Sequence, residues 1–175
     1  MGRRMNLSRK AGGEPMNTDL YLDVDGGILG RDEAGREALV PTLEEILEYA
    51  ARTYRCFWLT TQERGEGDGV VRHLAPHCSS AVVPLLRRFQ VAHWDALKTE
   101  AVDFSRPFIW IDDRPLWTEI KALEDRNCLY SWLRVDAYQN LEDLTVSKIE
   151  AKRRQVQRMH PFFSLTPRDP DRLGV

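Results

Sequence analysis

A three-layer α/β fold with a mostly parallel central sheet is predicted by three features of this 175-residue chain. Short apolar runs rich in β-formers alternate with amphipathic stretches of helical period, and parallel neighbours need such crossover connections. Each principal run ends abruptly in carboxylates, threonines or glycines. The length suffices for one domain with a real core and leaves little for a second.

The elements follow in order. Residues 1–16 hold no foldable pattern and are expected to form a solvated tail. Thr18 to Leu22 is a strand that runs into Asp23-Val24-Asp25-Gly26-Gly27. After a polar loop from Gly30 to Arg36, Thr42 and Glu45 form a capping box for a helix whose apolar face is Leu43, Ile46, Leu47 and Ala50. Cys56 to Leu59 is a second strand, followed by Thr60-Thr61 and the glycine-rich stretch from Gly65 to Gly69. Val70 to His77 reads as helix as far as Pro76, and Ala81 to Leu86 as a short strand interrupted by Pro84. Trp94 to Val102 reads as a loop entering a helix that carries Lys98. Pro107 to Ile111 is a third strand, ending in Asp112-Asp113. Pro115 to Asp125 is a helix with Trp117, Ile120 and Leu123 on one side, and Cys128 to Val135 is a fourth strand. Leu141 to Arg158 is a final helix, closing a domain of residues 17–158, and residues 159–175 are expected to be irregular.

Composition excludes several classes of function. With 25 basic and 27 acidic residues the formal charge is -2, so no global field draws the chain to nucleic acid or an anionic membrane. At 42% hydrophobic and 30% charged residues it lies far from the apolar-poor compositions that stay disordered. Cys56, Cys78 and Cys128 are an odd number without CxxC spacing, which favours a reducing, cytoplasmic compartment. No apolar run approaches the roughly 18 to 20 residues that span a bilayer.

The chemistry lies at the downstream ends of the strands, where open parallel sheets bind ligands. Asp23 and Asp25, two residues apart at a buried strand tip, repel each other unless a cation or proton separates them. Asp112 and Asp113 add a second pair, and an all-oxygen cluster suits Mg2+ far better than zinc. A lysine and a hydroxyl would complete the charge balance around phosphoryl oxygens, and Lys98 and Thr60 are the candidates. Thr61 is the alternative to Thr60.

Four pieces, Tyr21-Leu22-Asp23-Val24-Asp25-Gly26, Phe57-Trp58-Leu59-Thr60, Lys98 and Ile109-Trp110-Ile111-Asp112-Asp113, resemble in order and context the four motifs of the haloacid dehalogenase (HAD) superfamily. The resemblance covers Asp19 to Leu144. It looks most like the small HAD-like domains related to those of RNA-repair proteins. It implies a HAD-like, Rossmann-like fold and a Mg2+-dependent phosphatase. Asp23 would be the nucleophile that forms an aspartyl-phosphate, and Asp25 the general acid and then base. Thr60 would hydrogen-bond the phosphoryl group and Lys98 would neutralise it. Asp112 and Asp113 would complete the Mg2+ shell with Asp23 and the backbone carbonyl of Asp25. Gly27 departs from the family, where threonine or a β-branched residue is common.

Only 34 residues separate Asp25 from Thr60 and 37 separate Thr60 from Lys98, so neither customary insertion point holds a folded cap. An open site suits phosphate on a bulky or macromolecular substrate, although a small phosphomonoester also fits. The alternative is a catalytically silent HAD-fold binding or regulatory module. It would contact nucleic acid through Lys148, Lys152, Arg153, Arg154 and Arg158 of the last helix, unless that run is a solvated face. Trp94 is a candidate substrate contact, and His73, His77 and His93 read as surface residues. No membrane partner is expected, and oligomeric state is not legible.

Overall fold

The computed structural model describes residues 18–62 and 68–160. The expected N-terminal tail, 1–16, most of the glycine-rich stretch, and the expected C-terminal tail, 159–175, apart from Met159 and His160, lie outside them; Met159 is the last residue of α5 and not part of an irregular tail. The chain runs through β1 (Asp19–Leu22), β2 (Leu29–Arg31), β3 (Glu37–Leu39), α1 (Leu43–Thr53), β4 (Arg55–Trp58), α2 (Gly69–Leu74) and α3 (Val83–Leu86). It continues through β5 (Gln90–Val91), β6 (Phe108–Asp112), α4 (Trp117–Asp125), β7 (Trp132–Arg134) and α5 (Val146–Met159). Five strands form one parallel sheet in the order β5-β4-β1-β6-β7, and β2 and β3 form a separate antiparallel hairpin. The fold is therefore α/β and Rossmann-like, as the alternation predicts.

A strand in the middle of a parallel sheet is covered on both faces and reads as continuously apolar. β1 meets this condition, with Leu20, Tyr21 and Leu22 at most 2% exposed. Its register sets Leu20 beside Cys56 and Ile109, and Tyr21 beside Phe57 and Trp110. Because successive side chains point to opposite faces, two cores result. Leu20, Leu22, Trp58, Ile109 and Ile111 pack with α1, α2, α3 and α5; Tyr21, Leu59, Phe108 and Trp110 pack with Leu123 of α4 and with Val102. Burying each such side chain contributes about 1.5 to 3 kcal/mol, so the two cores hold the central strands in place.

Several expected elements differ. Ala81 to Leu86 is not a strand: Pro84 falls in the first turn of α3, where its missing N–H costs nothing, and the edge strand is β5 instead. Lys98 lies in a single 3-10 turn, Lys98–Ala101, not in a longer helix. Of Cys128 to Val135 only Trp132–Arg134 pairs, because Asn127 turns the chain at φ 49° and Leu129–Ser131 coils into a 3-10 turn. The polar loop after Gly30 is the tip of the β2–β3 hairpin. α5 starts at Val146, where the Thr145 hydroxyl caps the Lys148 amide at 3.2 Å, and it continues to Met159. Thr42 precedes α1 as expected, but its hydroxyl donates to the Leu144 carbonyl at 3.1 Å and makes no cap bond. Trp117 is 74% exposed; α4 turns Glu119 and Leu123 inward instead.

In chain order the sheet is built outward from β1 to β4 and β5, and then crosses back to β6 and β7 on the other side. The direction of winding thus reverses between β1 and β6. Adjacent loops diverge at such a point and leave a crevice at the carboxyl ends of the two strands. Asp23 follows β1 and Asp112 ends β6, so both carboxylates lie at that crevice.

Two buried tryptophans offer a test of the core. Trp58 donates to the Leu86 carbonyl at 3.0 Å, whereas the Trp110 indole N–H has no hydrogen-bond partner among the described residues. Trp58→Phe should therefore cost about 1 kcal/mol more than Trp110→Phe in denaturant unfolding. Equal losses would contradict the assignment.

Candidate active site

Asp23 is held by backbone that extends the sheet one residue past β1. Its amide donates to the Ile111 carbonyl at 2.9 Å, and its own Oδ1 accepts from the Val24 amide at 2.9 Å. Across the crevice, Asp112 Oδ1 accepts from the Arg114 amide at 2.8 Å, and the Asp112 carbonyl accepts from the Trp132 indole at 3.0 Å. Asp23, Asp112 and Asp113 each bring a carboxylate oxygen to within 4.8 Å of the others. The Lys98 ammonium lies between the first two, 2.9 Å from Asp23 Oδ2 and 2.7 Å from Asp112 Oδ2.

These groups strain one another electrostatically. Burial, and then the charge of Asp112, push the Asp23 carboxyl up to about 7 even though Lys98 pulls it down. Asp113 is also raised, by burial and by Asp112 and Asp136. Burial acts to lower the Lys98 ammonium, but Asp23 and Asp112 outweigh it and hold it above its ordinary value. With all three carboxylates ionised, one ammonium leaves two negative charges uncompensated. A divalent cation would balance them.

Lys98 is placed by a buried carboxylate that the sequence reading did not single out. Glu119, 2% exposed, accepts from the Lys98 amide at 2.6 Å through Oε1 and from the Leu116 amide at 2.8 Å through Oε2. The second bond is the helix-capping half of a capping box, and a glutamate three residues into a helix is the signal that could have revealed it. Together the two bonds join the lysine turn, through the first turn of α4, to the loop that follows Asp112-Asp113.

Asp25 turns the other way. Its Oδ2 accepts from Gln62 Nε2 at 2.6 Å, and its Oδ1 lies 3.3 Å from His73 Nε2. His73 is thus not the plain surface residue expected, and Gln62 was not singled out. Thr60 is 1% exposed at the end of β4, and its hydroxyl accepts from the Gln62 amide at 3.3 Å; Thr61 is exposed. Gly26 has φ +78°, and a Cβ there would lie 2.4 Å from the Asp113 carboxyl carbon. A Cβ at Gly27 would lie 2.3 Å from the Asp23 carbonyl oxygen, which accounts for glycine at this position.

The remaining candidates fall elsewhere. Trp94 is half-buried against the α4-side core. On α5, Lys148 pairs with Asp143, Lys152 donates to the Tyr130 carbonyl, and Arg153 and Arg154 pair with Glu150. That basic run is therefore largely engaged within the chain. A cleft bordered by Phe104, Arg126, Cys128 and His160 opens at the opposite, amino end of β6 and β7. No helix among the described residues is long and apolar enough to cross a membrane.

Glu119→Ala should free both backbone donors and lower stability by about 2 to 4 kcal/mol in denaturant unfolding, whereas Glu119→Gln, which keeps one acceptor, should recover about half of that. Indistinguishable variants would contradict the role given to this carboxylate.

Compared with known proteins, this chain matches no family model, and neither a curated protein nor a solved structure is significantly similar to it.

Proposed function

We propose that this chain is a capless, HAD-type phosphomonoester hydrolase that uses Mg2+ and forms an aspartyl-phosphate on Asp23. The observation that carries the reading is the gathering of Asp23, Asp112 and Asp113 around Lys98 at the point where the sheet reverses its winding.

The donor set fits the metal. It is all oxygen, it carries two uncompensated negative charges when ionised, and burial together with the charge of Asp112 raises the Asp23 carboxyl. Asp23, Asp112 and Asp113 would hold the ion, with the backbone carbonyl of Asp25 as the further ligand implied by the HAD resemblance. Bound there, Mg2+ supplies positive charge against the phosphoryl oxygens.

The chain's own residues perform the rest. The Asp23 carboxylate attacks phosphorus while the bond from phosphorus to the leaving oxygen breaks, and Asp25 gives that oxygen its proton. Asp25, now a carboxylate, takes a proton from the water that attacks the phospho-aspartate; phosphate leaves and Asp23 is restored. The Thr60 hydroxyl donates to a phosphoryl oxygen, and the Lys98 ammonium offsets charge on the same group while holding Asp23 in line. The stretches between these residues are taken up by the hairpin and α1, and by α2, α3 and β5, which supports an open, capless site and a substrate that brings its own bulk.

The test is phosphate release from p-nitrophenyl phosphate, nucleotides and phosphorylated oligonucleotides, with Mg2+ and with EDTA. Turnover should require Mg2+, vanish in EDTA and fall at least about a thousandfold in Asp23→Asn. Turnover that persists in Asp23→Asn would contradict the reading. Absence of all turnover in a protein that still binds Mg2+ would favour the silent binding module.

A further inference from the structure

We infer that Gln62 and His73 are positioning residues that clamp the Asp25 carboxylate in the orientation its proton transfers require. The inference rests on the phosphatase reading, in which Asp25 is the general acid and base.

Asp25 sits on a turn beyond the end of β1, beside Gly26 at φ +78°; backbone bonds of Val24 and Gly26 to Leu29 fix the turn, but they do not fix the direction of the Asp25 side chain. A short side chain on such a turn is free to rotate, and its side chain is 32% exposed. Proton transfer needs the opposite, a donor oxygen held within about 3 Å of the leaving oxygen in a fixed direction. Here the two carboxylate oxygens are engaged separately. Gln62 Nε2 donates to Oδ2 at 2.6 Å, and His73 Nε2 lies 3.3 Å from Oδ1. Contacts at both oxygens restrict rotation about both side-chain torsions, which a single contact does not.

Each arm of the clamp is itself held. The Gln62 amide donates to the Thr60 hydroxyl at 3.3 Å, so the arm on Oδ2 is tied to the end of β4 and to the phosphate-binding candidate. His73 lies on α2, whose Val70, Val71 and Leu74 are buried in the core with α1 and α3, so the ring is carried by a helix that cannot easily shift. Both arms come from the segment after β4, whereas Asp25 comes from the segment after β1. The clamp therefore joins the segment after β1 to the segment after β4, a link that the Lys98 contacts with Asp23 and Asp112 do not make.

The contribution of a general acid grows as the leaving group becomes more basic, so misplacing it penalises poor leaving groups most. The experiment measures kcat/KM of the full chain with Mg2+ on p-nitrophenyl, phenyl and p-methoxyphenyl phosphates, together with melting temperatures. In His73→Ala and Gln62→Ala the loss should grow along the series, reaching about tenfold or more on the most basic phenolate, a fraction of the full effect of a general acid. His73→Gln, whose amide nitrogen can stand in for Nε2, should restore most of it. Equal losses across the series, no loss, or a His73→Gln variant as poor as His73→Ala would overturn the inference. Should His73→Ala fail to fold, the slopes of Gln62→Ala and His73→Gln decide by the same criteria. A wild-type chain without Mg2+-dependent turnover overturns the phosphatase reading and this inference with it; an active wild type with uniform variants overturns this inference alone.

Discussion

The contact of one ammonium with two carboxylates organises the site. Lys98 lies within 3 Å of both Asp23 and Asp112, which come from strands that are neighbours in space and 89 positions apart in sequence. Without that charge the two buried carboxylates would repel each other across the crevice. The contact forms only because the sheet crosses back at β1, because the chain between β5 and β6 passes over the crevice, and because Glu119 holds the lysine turn against the start of α4. Fold, crossover and charge balance are therefore one constraint met by three parts of the chain.

The opposite end of β1 provides an internal comparison. Asp19 is fully buried, yet two guanidiniums serve it: Arg55 at 2.7 and 2.5 Å, and Arg106 at 3.4 Å. One carboxylate against two cations needs nothing further. At the carboxyl end the ratio is inverted, with three carboxylates against one ammonium. Burial of like charge is costly unless it is compensated, and the cation proposed above would compensate it. On α5, Lys148 pairs with Asp143 while Arg153 and Arg154 share Glu150, so two carboxylates offset only part of the charge of that basic run.

What was legible from sequence was whatever depends on local pattern. Apolar runs broken by Asp23, Thr60 and Asp112 marked strand ends, and parallel topology then required those ends to share one edge. Legibility failed where tertiary contact overrides pattern. Ala81 to Leu86 is β-like in composition, but Pro84 suits a helical first turn equally well. Trp117 completes an apolar face on paper, yet α4 is rotated so that Glu119 reaches two backbone donors, and no hydrophobic count includes that bond. His73 reads from sequence as a surface residue and Gln62 draws no reading, because neither carries a spacing signature; only the packing of α2 and the turn after Thr60 bring them to Asp25. The need for glycine at Gly27 was not legible, because it comes from the Asp23 carbonyl that a Cβ there would meet.

The central claim is that the acidic crevice holds one divalent cation that Lys98 alone does not replace. Its most direct measurement is a titration of the full chain with Mn2+ followed by electron paramagnetic resonance, in which free and bound ions are counted separately. The account predicts one saturable site per chain, displaced by Mg2+ and lost in Asp112→Asn at unchanged fold. Binding absent from the wild type, or undiminished in that variant, would contradict it.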